Sequence, residues 1–197
     1  MVLKMVFFSS VVALFGTYQI AANGVAQSIW SLAALMGVTL GPVYITVIGQ
    51  CMGSGNQEQA KYYFKKLNKL AIVLSIVWNL IVLALTPVFM HFYQLSSETL
   101  QLIFYLVVIH GVFNAIVYPI SGPLSNGLRA AGDVKFTMIV SIASTLLARF
   151  VFSIIFAIYL NMGVTGIAFA MCLDWTIRAV IFYCRYRSLK WLEFKVI

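Results

Sequence analysis

Charge is what this sequence has least of. Of its 197 residues, 9% are charged and five are acidic, against about 25% charged in an ordinary soluble domain. So few charges cannot coat a water-facing surface, which excludes a soluble single domain and a disordered chain. Cysteine is scarce as well. Cys51, Cys172 and Cys184 are widely separated, which excludes a disulfide-stapled module and a metal-ligand cluster; they read as reduced, small apolar side chains. No catalytic triad or nucleotide-binding glycine loop is present, since the lone Gly53-Ser54-Gly55 follows no strand. An intramembrane enzyme is the weakest reading, and no metal or organic cofactor is expected. The chain is basic, at net +8, but it lacks the aromatic-interleaved basic patch of a nucleic-acid binder.

What is abundant is apolar side chain: 62% of residues, with a mean hydropathy of +0.99. A membrane helix takes about 20 residues, so six spans and short loops consume the chain. The fold class is therefore an all-α membrane protein with lipid as its surroundings. The spans fall at 2–17, 24–49, 70–92, 96–128, 136–160 and 167–184, here A to F. Lys4 followed by an apolar run resembles a signal peptide. The cleavage candidate Ala21-Ala22-Asn23 is weak, however, and hydrophobicity continues past it, so the start reads as span A. The polar stretch Tyr18 to Gly24 is the expected A–B turn. Asn56 and Asp133 are expected helix N-caps after glycine turns, and the likeness of those two turns hints at internal duplication.

Basic residues sort by loop. Lys61, Lys65, Lys66 and Lys69 lie between B and C, Arg129 and Lys135 between D and E, and Arg185, Arg187, Lys190 and Lys195 in the tail, whereas the A–B, C–D and E–F connections have none. This alternation fits the positive-inside rule, with both termini cytoplasmic in a multi-pass cell-membrane protein.

Polar residues inside spans face neighbours or water-filled cavities. Asn23, Gln27 and Ser31 form one stripe on B; His110, Asn114, Tyr118, Ser121 and Ser125 form one on D; Thr137, Ser141, Thr145, Arg149 and Ser153 form one on E. Such stripes serve either helix packing with carbonyl back-bonding or a cavity. Pro119, Gly122 and Pro123 break span D, either as a static kink or as the discontinuity found at transporter sites. Arg149, Asp174 and Arg178 are the ionisable residues within E and F. Asp174 and Arg178 share a helix face. With about 1.5 Å rise per residue in a core about 30 Å thick, Arg149 reaches the same depth, so the three are expected to form an intramembrane ion pair rather than a proton switch.

Three motifs resemble the multidrug and toxic compound extrusion (MATE) family: Ile20-Ala21-Ala22-Asn23 followed by Gly49-Gln50-Cys51-Met52-Gly53-Ser54-Gly55-Asn56; Gly127-Leu128-Arg129-Ala130-Ala131-Gly132-Asp133 through Met138; and Gly163, Gly166, Ala170, Met171, Asp174, Trp175 and Arg178. The resemblance implies the C-terminal lobe, helices seven to twelve, of a two-lobe, twelve-helix transporter. It implies antiport of cationic and amphipathic drugs against Na⁺ or H⁺. In some members it implies a cation site in this lobe with acids on the seventh and tenth helices; here the tenth-helix position falls near Tyr118, with no carboxylate, and the seventh-helix acid would lie upstream of Met1. The implied cavity, lined by A, B and D, has His110, Asn114, Tyr118 and Ser121 as candidate substrate or cation residues, with rings receiving a cationic solute. Arg129 and Asp133 mark a hinging cytoplasmic turn. Partners would be the missing N-terminal lobe or a second copy. The rival readings are a lipid-linked sugar flippase of the same superfamily and a non-transporting truncated subunit. Span A looks clipped, which favours a fragment over a half-transporter. That expectation predicts a native immunoblot band about twice the 21.9 kDa of this chain; a band at 21.9 kDa itself would point to a half-length protein that works with a partner.

Overall fold

A computed structural model describes residues 11–194. Most of span A, with Lys4, and also Lys195, lie outside the described residues. After a short turn at Ala13–Phe15 and Gly16, the helices are α1 (Thr17–Ala33), α2 (Leu35–Gly53), α3 (Gln57–His91), α4 (Ser97–Ile116), α5 (Tyr118–Ser121), α6 (Pro123–Ala130), α7 (Val134–Ser144), α8 (Phe152–Ile154) and α9 (Gly163–Arg187). Two π-helical stretches, Thr145–Val151 and Ile155–Tyr159, flank α8. Among the described residues, five helices are long and apolar enough to cross a membrane. Their outward faces carry side chains such as Val73, Val77, Leu80, Leu85, Ile139 and Leu147. This is an all-α membrane protein, apolar toward lipid.

The expected A–B turn is not a turn. Tyr18 to Gly24 are helical within α1, and the helical run is interrupted earlier, at Gly16, whose φ of 80° suits glycine. Small and polar residues signal a turn in water. In a membrane helix they are tolerated when they face a neighbour or a cavity. The helix continues past Ala34, where Ala34 N–H still donates to Trp30 (2.8 Å) and Val38 N–H to Ala34 (3.0 Å). The bend there is held from outside: the indole N–H of Trp78 reaches the Leu32 carbonyl at 2.9 Å, and the Asn79 amide reaches Ala33 at 3.4 Å.

Helix starts follow cap chemistry in part. Asn56 accepts the Gln59 N–H at 3.0 Å, and Ser96 accepts that of Thr99 at 3.4 Å. Asp133 stands at the start of α7 but does not cap it. Its carboxylate takes Arg185 instead, at 2.6 and 3.3 Å, because a bidentate charged bond outweighs a neutral cap. α9 begins at Gly163, earlier than expected, with its Val164 N–H bonded to the Gln19 side chain of α1 at 3.1 Å. The lysine-bearing segment before span C is continuous with it in α3, whose 35 residues make a rod of about 52 Å, longer than the hydrocarbon core.

Two apolar clusters bracket the bundle. One, at the basic end, gathers Tyr44, Ile48, Phe64, Leu128, Phe182 and Trp191. The other, at the opposite end, gathers Ala22, Ile29, Val82, Ile103, Leu106 and Val164. α1 packs on α4, α2 on α3 and α6, and α9 on α5 and the π-helical turns. Gly166 makes the last contact possible, since a Cβ there would sit 2.6 Å from the backbone of Phe156 and Ala157. Gly166→Ala is expected to lower the stability of the detergent-solubilised protein by about 1–3 kcal/mol through overpacking. Gly49→Ala, with open space around it, is expected to be neutral in the same thermal-unfolding measurement.

Candidate functional site

Polar side chains gather between the two clusters, on one side of the bundle, around a cavity of about 730 Å³. Helix α1 contributes Asn23, Gln27 and Trp30; the broken α4–α5–α6 rod contributes His110, Tyr118, Ser121, Ser125, Asn126 and Arg129; Ser141 and Arg149 come from α7 and the first π turn; Met171, Trp175 and Arg178 come from α9. With Val12 from span A, the cavity draws on spans A, B, D, E and F. The breaks at Val117 and Gly122 let this happen. Proline at 119 and 123 removes two backbone donors, and the rod divides into α4, α5 and α6. Ser121 and Ser125 then turn their hydroxyls onto carbonyls at Tyr118 (3.3 Å) and Gly122 (2.6 Å).

At the centre lies an aromatic cluster. Trp30 and Trp175 stack at 5.7 Å and 22°, and the Tyr118 ring lies 5.3 Å from Trp175. His110 completes the group at 6.2 Å from Trp30 and 6.4 Å from Trp175. Its Nδ1–H donates to the Leu106 carbonyl at 2.7 Å, which fixes the ring. Gly37 allows the bend of the first rod to approach the Tyr118 ring, which a Cβ would strike.

Behind the cluster is a buried carboxylate. Asp174, without exposed surface, accepts Arg178 at 2.9 Å and the Ser144 hydroxyl at 2.6 Å, with Arg149 at 3.9 Å. The trio read from the sequence is one assembly. Arg149 stands on a π-helical turn, a geometry that an i, i+4 stripe does not announce and that is frequent at functional positions.

Asn114 lies elsewhere. It is 1% exposed, faces α3, and donates its amide to Asn79 at 3.3 Å, so it joins the polar node behind the bend of the first rod rather than the cavity wall. Arg129 lines the cavity at its basic end and donates to Thr137 at 3.2 Å. Ser31 is exposed and bonded to its own helix at Ser28. Trp30 was not singled out in the sequence, and Trp175 entered only as a residue of the third motif. The signal for Trp30 was spacing: 23, 27 and 30 lie on one helical face.

Long apolar helices, one of them broken, thus surround a cavity of aromatic and polar groups, the kind of arrangement found in membrane transport proteins. The chain belongs to the MatE family, whose family model matches residues 1–155. Uncharacterized transporter YisQ of Bacillus subtilis (strain 168) is 25% identical over 196 residues, which cover 92% of this chain and 40% of that protein. A solved structure described as the outward-facing conformation of a multidrug resistance MATE family transporter of the MOP superfamily shares the fold, with a TM-score of 0.82 and 19% identity. The match covers 95% of this chain and 43% of that one, so this chain spans less than half the length of either relative.

Removing one partner from a buried ion pair leaves an uncompensated charge, at a cost of about 3–5 kcal/mol. Asp174→Asn is therefore expected to reduce the yield of folded, monodisperse protein in size-exclusion chromatography sharply, although it preserves the shape and the Ser144 contact.

Proposed function

We propose that this chain forms one wall of the substrate cavity in a secondary active antiporter that exports amphipathic compounds by alternating access. The observation that carries this reading is the position of the Trp30–Trp175–Tyr118–His110 cluster beside a broken helix, on a cavity large enough for a drug-sized solute. Flat rings receive flat apolar bodies by stacking, with little demand for one exact ligand. The hydroxyls and amides around them tolerate varied polar substituents. A non-transporting subunit has no use for such a lining, and the proposed role is transport rather than catalysis.

In this reading the open side of the cavity is closed by a first lobe or by a second copy, and the two walls rock against each other. The basic end faces the cytoplasm of a cell-membrane protein. An inward Na⁺ or H⁺ gradient supplies the energy. Asp174 is a poor seat for the coupling ion because two arginines and a serine already engage it; ion exchange belongs to another part of the assembly.

The test is efflux from cells carrying the transporter, with a panel of amphipathic dyes. Trp30→Ala removes one face of the stack, worth about 1.4 kcal/mol, and is expected to cut efflux about ten-fold at unchanged expression. Asn114→Ala, away from the cavity, is expected to change efflux far less. Unaltered efflux in Trp30→Ala for every exported dye would remove the cluster as the substrate site.

A further inference from the structure

Every charged side chain on the cavity wall is an arginine. Arg129, Arg149 and Arg178 line it, and among the described residues no carboxylate does. Two buried acids are engaged elsewhere: Asp174 is enclosed by Ser144, Arg149 and Arg178, and Asp133 is clasped by Arg185. Three cations against the one carboxylate behind them leave the wall with a positive charge that low-dielectric surroundings do not screen.

A second observation points the same way. Two cavity-lining donors are buried without an acceptor from the protein: the Trp30 indole N–H and the Arg178 Nε–H. A buried unmade hydrogen bond is costly, and indole and guanidinium can only donate. Both donors belong with the aromatic cluster, since Trp30 stacks on Trp175 and Arg178 follows Trp175 by one helical turn. Donors without acceptors beside rings match an acceptor-rich anionic group on an apolar or aromatic body. A cationic solute would meet guanidinium groups and N–H donors, with no carboxylate on the wall to receive it.

Building on the proposed transport role, we propose that this cavity wall binds an anionic amphiphile, its carboxylate, sulfonate or phosphate held by Arg178 and the Trp30 indole N–H while its apolar body stacks on the ring cluster. Arg129, at the basic end of the same cavity, extends the positive surface along the path of entry or exit. The substrate charge is then opposite to the one the family resemblance implies.

The test uses the transporter purified from its own cells through a tag on the tail of this chain, so that whatever completes it is retained, in phosphatidylcholine nanodiscs. Carboxyfluorescein and rhodamine 123 share a xanthene ring system and differ in the sign of their charge. Binding of each is read from dye polarisation and tryptophan quenching. Carboxyfluorescein is expected to bind at least about ten-fold more tightly, and Arg178→Gln is expected to abolish that preference. Trp30→Phe keeps a ring in the stack, smaller than the indole, and deletes the N–H donor. It is expected to weaken carboxyfluorescein more than rhodamine 123, and it decides the matter should Arg178→Gln fail to fold. Tighter or equal binding of rhodamine 123 overturns the anion site and leaves the aromatic transport cavity standing. Binding of neither dye overturns both. If phosphatidylglycerol in the disc competes with carboxyfluorescein, the anion is a lipid headgroup; if it does not, the anion is a soluble solute. Either result keeps the site and names its source.

Discussion

Hydrocarbon offers no hydrogen bonds, and the whole architecture answers to that constraint. Outward faces are valine, leucine and isoleucine, while Asn79, His110, Asn114, Ser144, Arg149 and Asp174 are turned inward. Each bend in a rod leaves carbonyls exposed to the same constraint. At Ala34 the freed carbonyls of Leu32 and Ala33 find Trp78 and Asn79 on α3, and Asn79 in turn receives Asn114 on α4. Three helices are fastened by repairing one irregularity. The Asp174 assembly does similar work between α7, the first π turn and α9. Bends and buried charges are thus what align the rods, because apolar side chains in lipid have little preference for one another.

The basic end is built differently. Phe64, Tyr186 and Trp191 form a ring cluster with centroids 4.9 to 6.3 Å apart, and the Trp191 indole donates to the Tyr186 carbonyl at 3.0 Å. Arg185 joins the tail to the turn before α7 through Asp133, with its guanidinium over Phe136 at 4.7 Å. Gln57 ties the start of α3 to the Leu192 carbonyl at 3.0 Å. This end has a continuous apolar and aromatic lining, whereas the middle of the bundle is polar and hollow. A lobe made this way has one firm end and one adaptable side.

Hydropathy made the fold class legible, because long apolar runs separated by basic loops have few other solutions. Boundaries were less legible. Tyr18 to Gly24 read as a turn because asparagine, glycine and glutamine are turn residues in water; here Asn23 and Gln27 face a cavity from within a helix. For the candidate site, Arg149, Asp174 and Arg178 were legible because isolated charges in apolar spans must find each other. Asn114 shares a stripe with His110 and Tyr118, yet His110 and Tyr118, on either side of the break at Val117, both reach the cavity while Asn114 turns to Asn79. Trp175 was visible as a motif residue but not as a cavity residue; its company of rings is brought together only by the packing of α1 against α9.

The two π-helical stretches around α8 bear on motion. Such a turn holds one residue more than an α-helical turn of equal rise. Passing that surplus along the helix swings each side chain it crosses by about 100° without translating either end. Gly166 pins the far end of this segment against α9, and Ser144 and Thr137 anchor the near end. Between these fixed points Arg149 lies within the first π-helical stretch. A shift of the surplus along the helix would re-aim the guanidinium with no sliding of rods, so this helix has the geometry of a rotary joint inside an otherwise clamped wall.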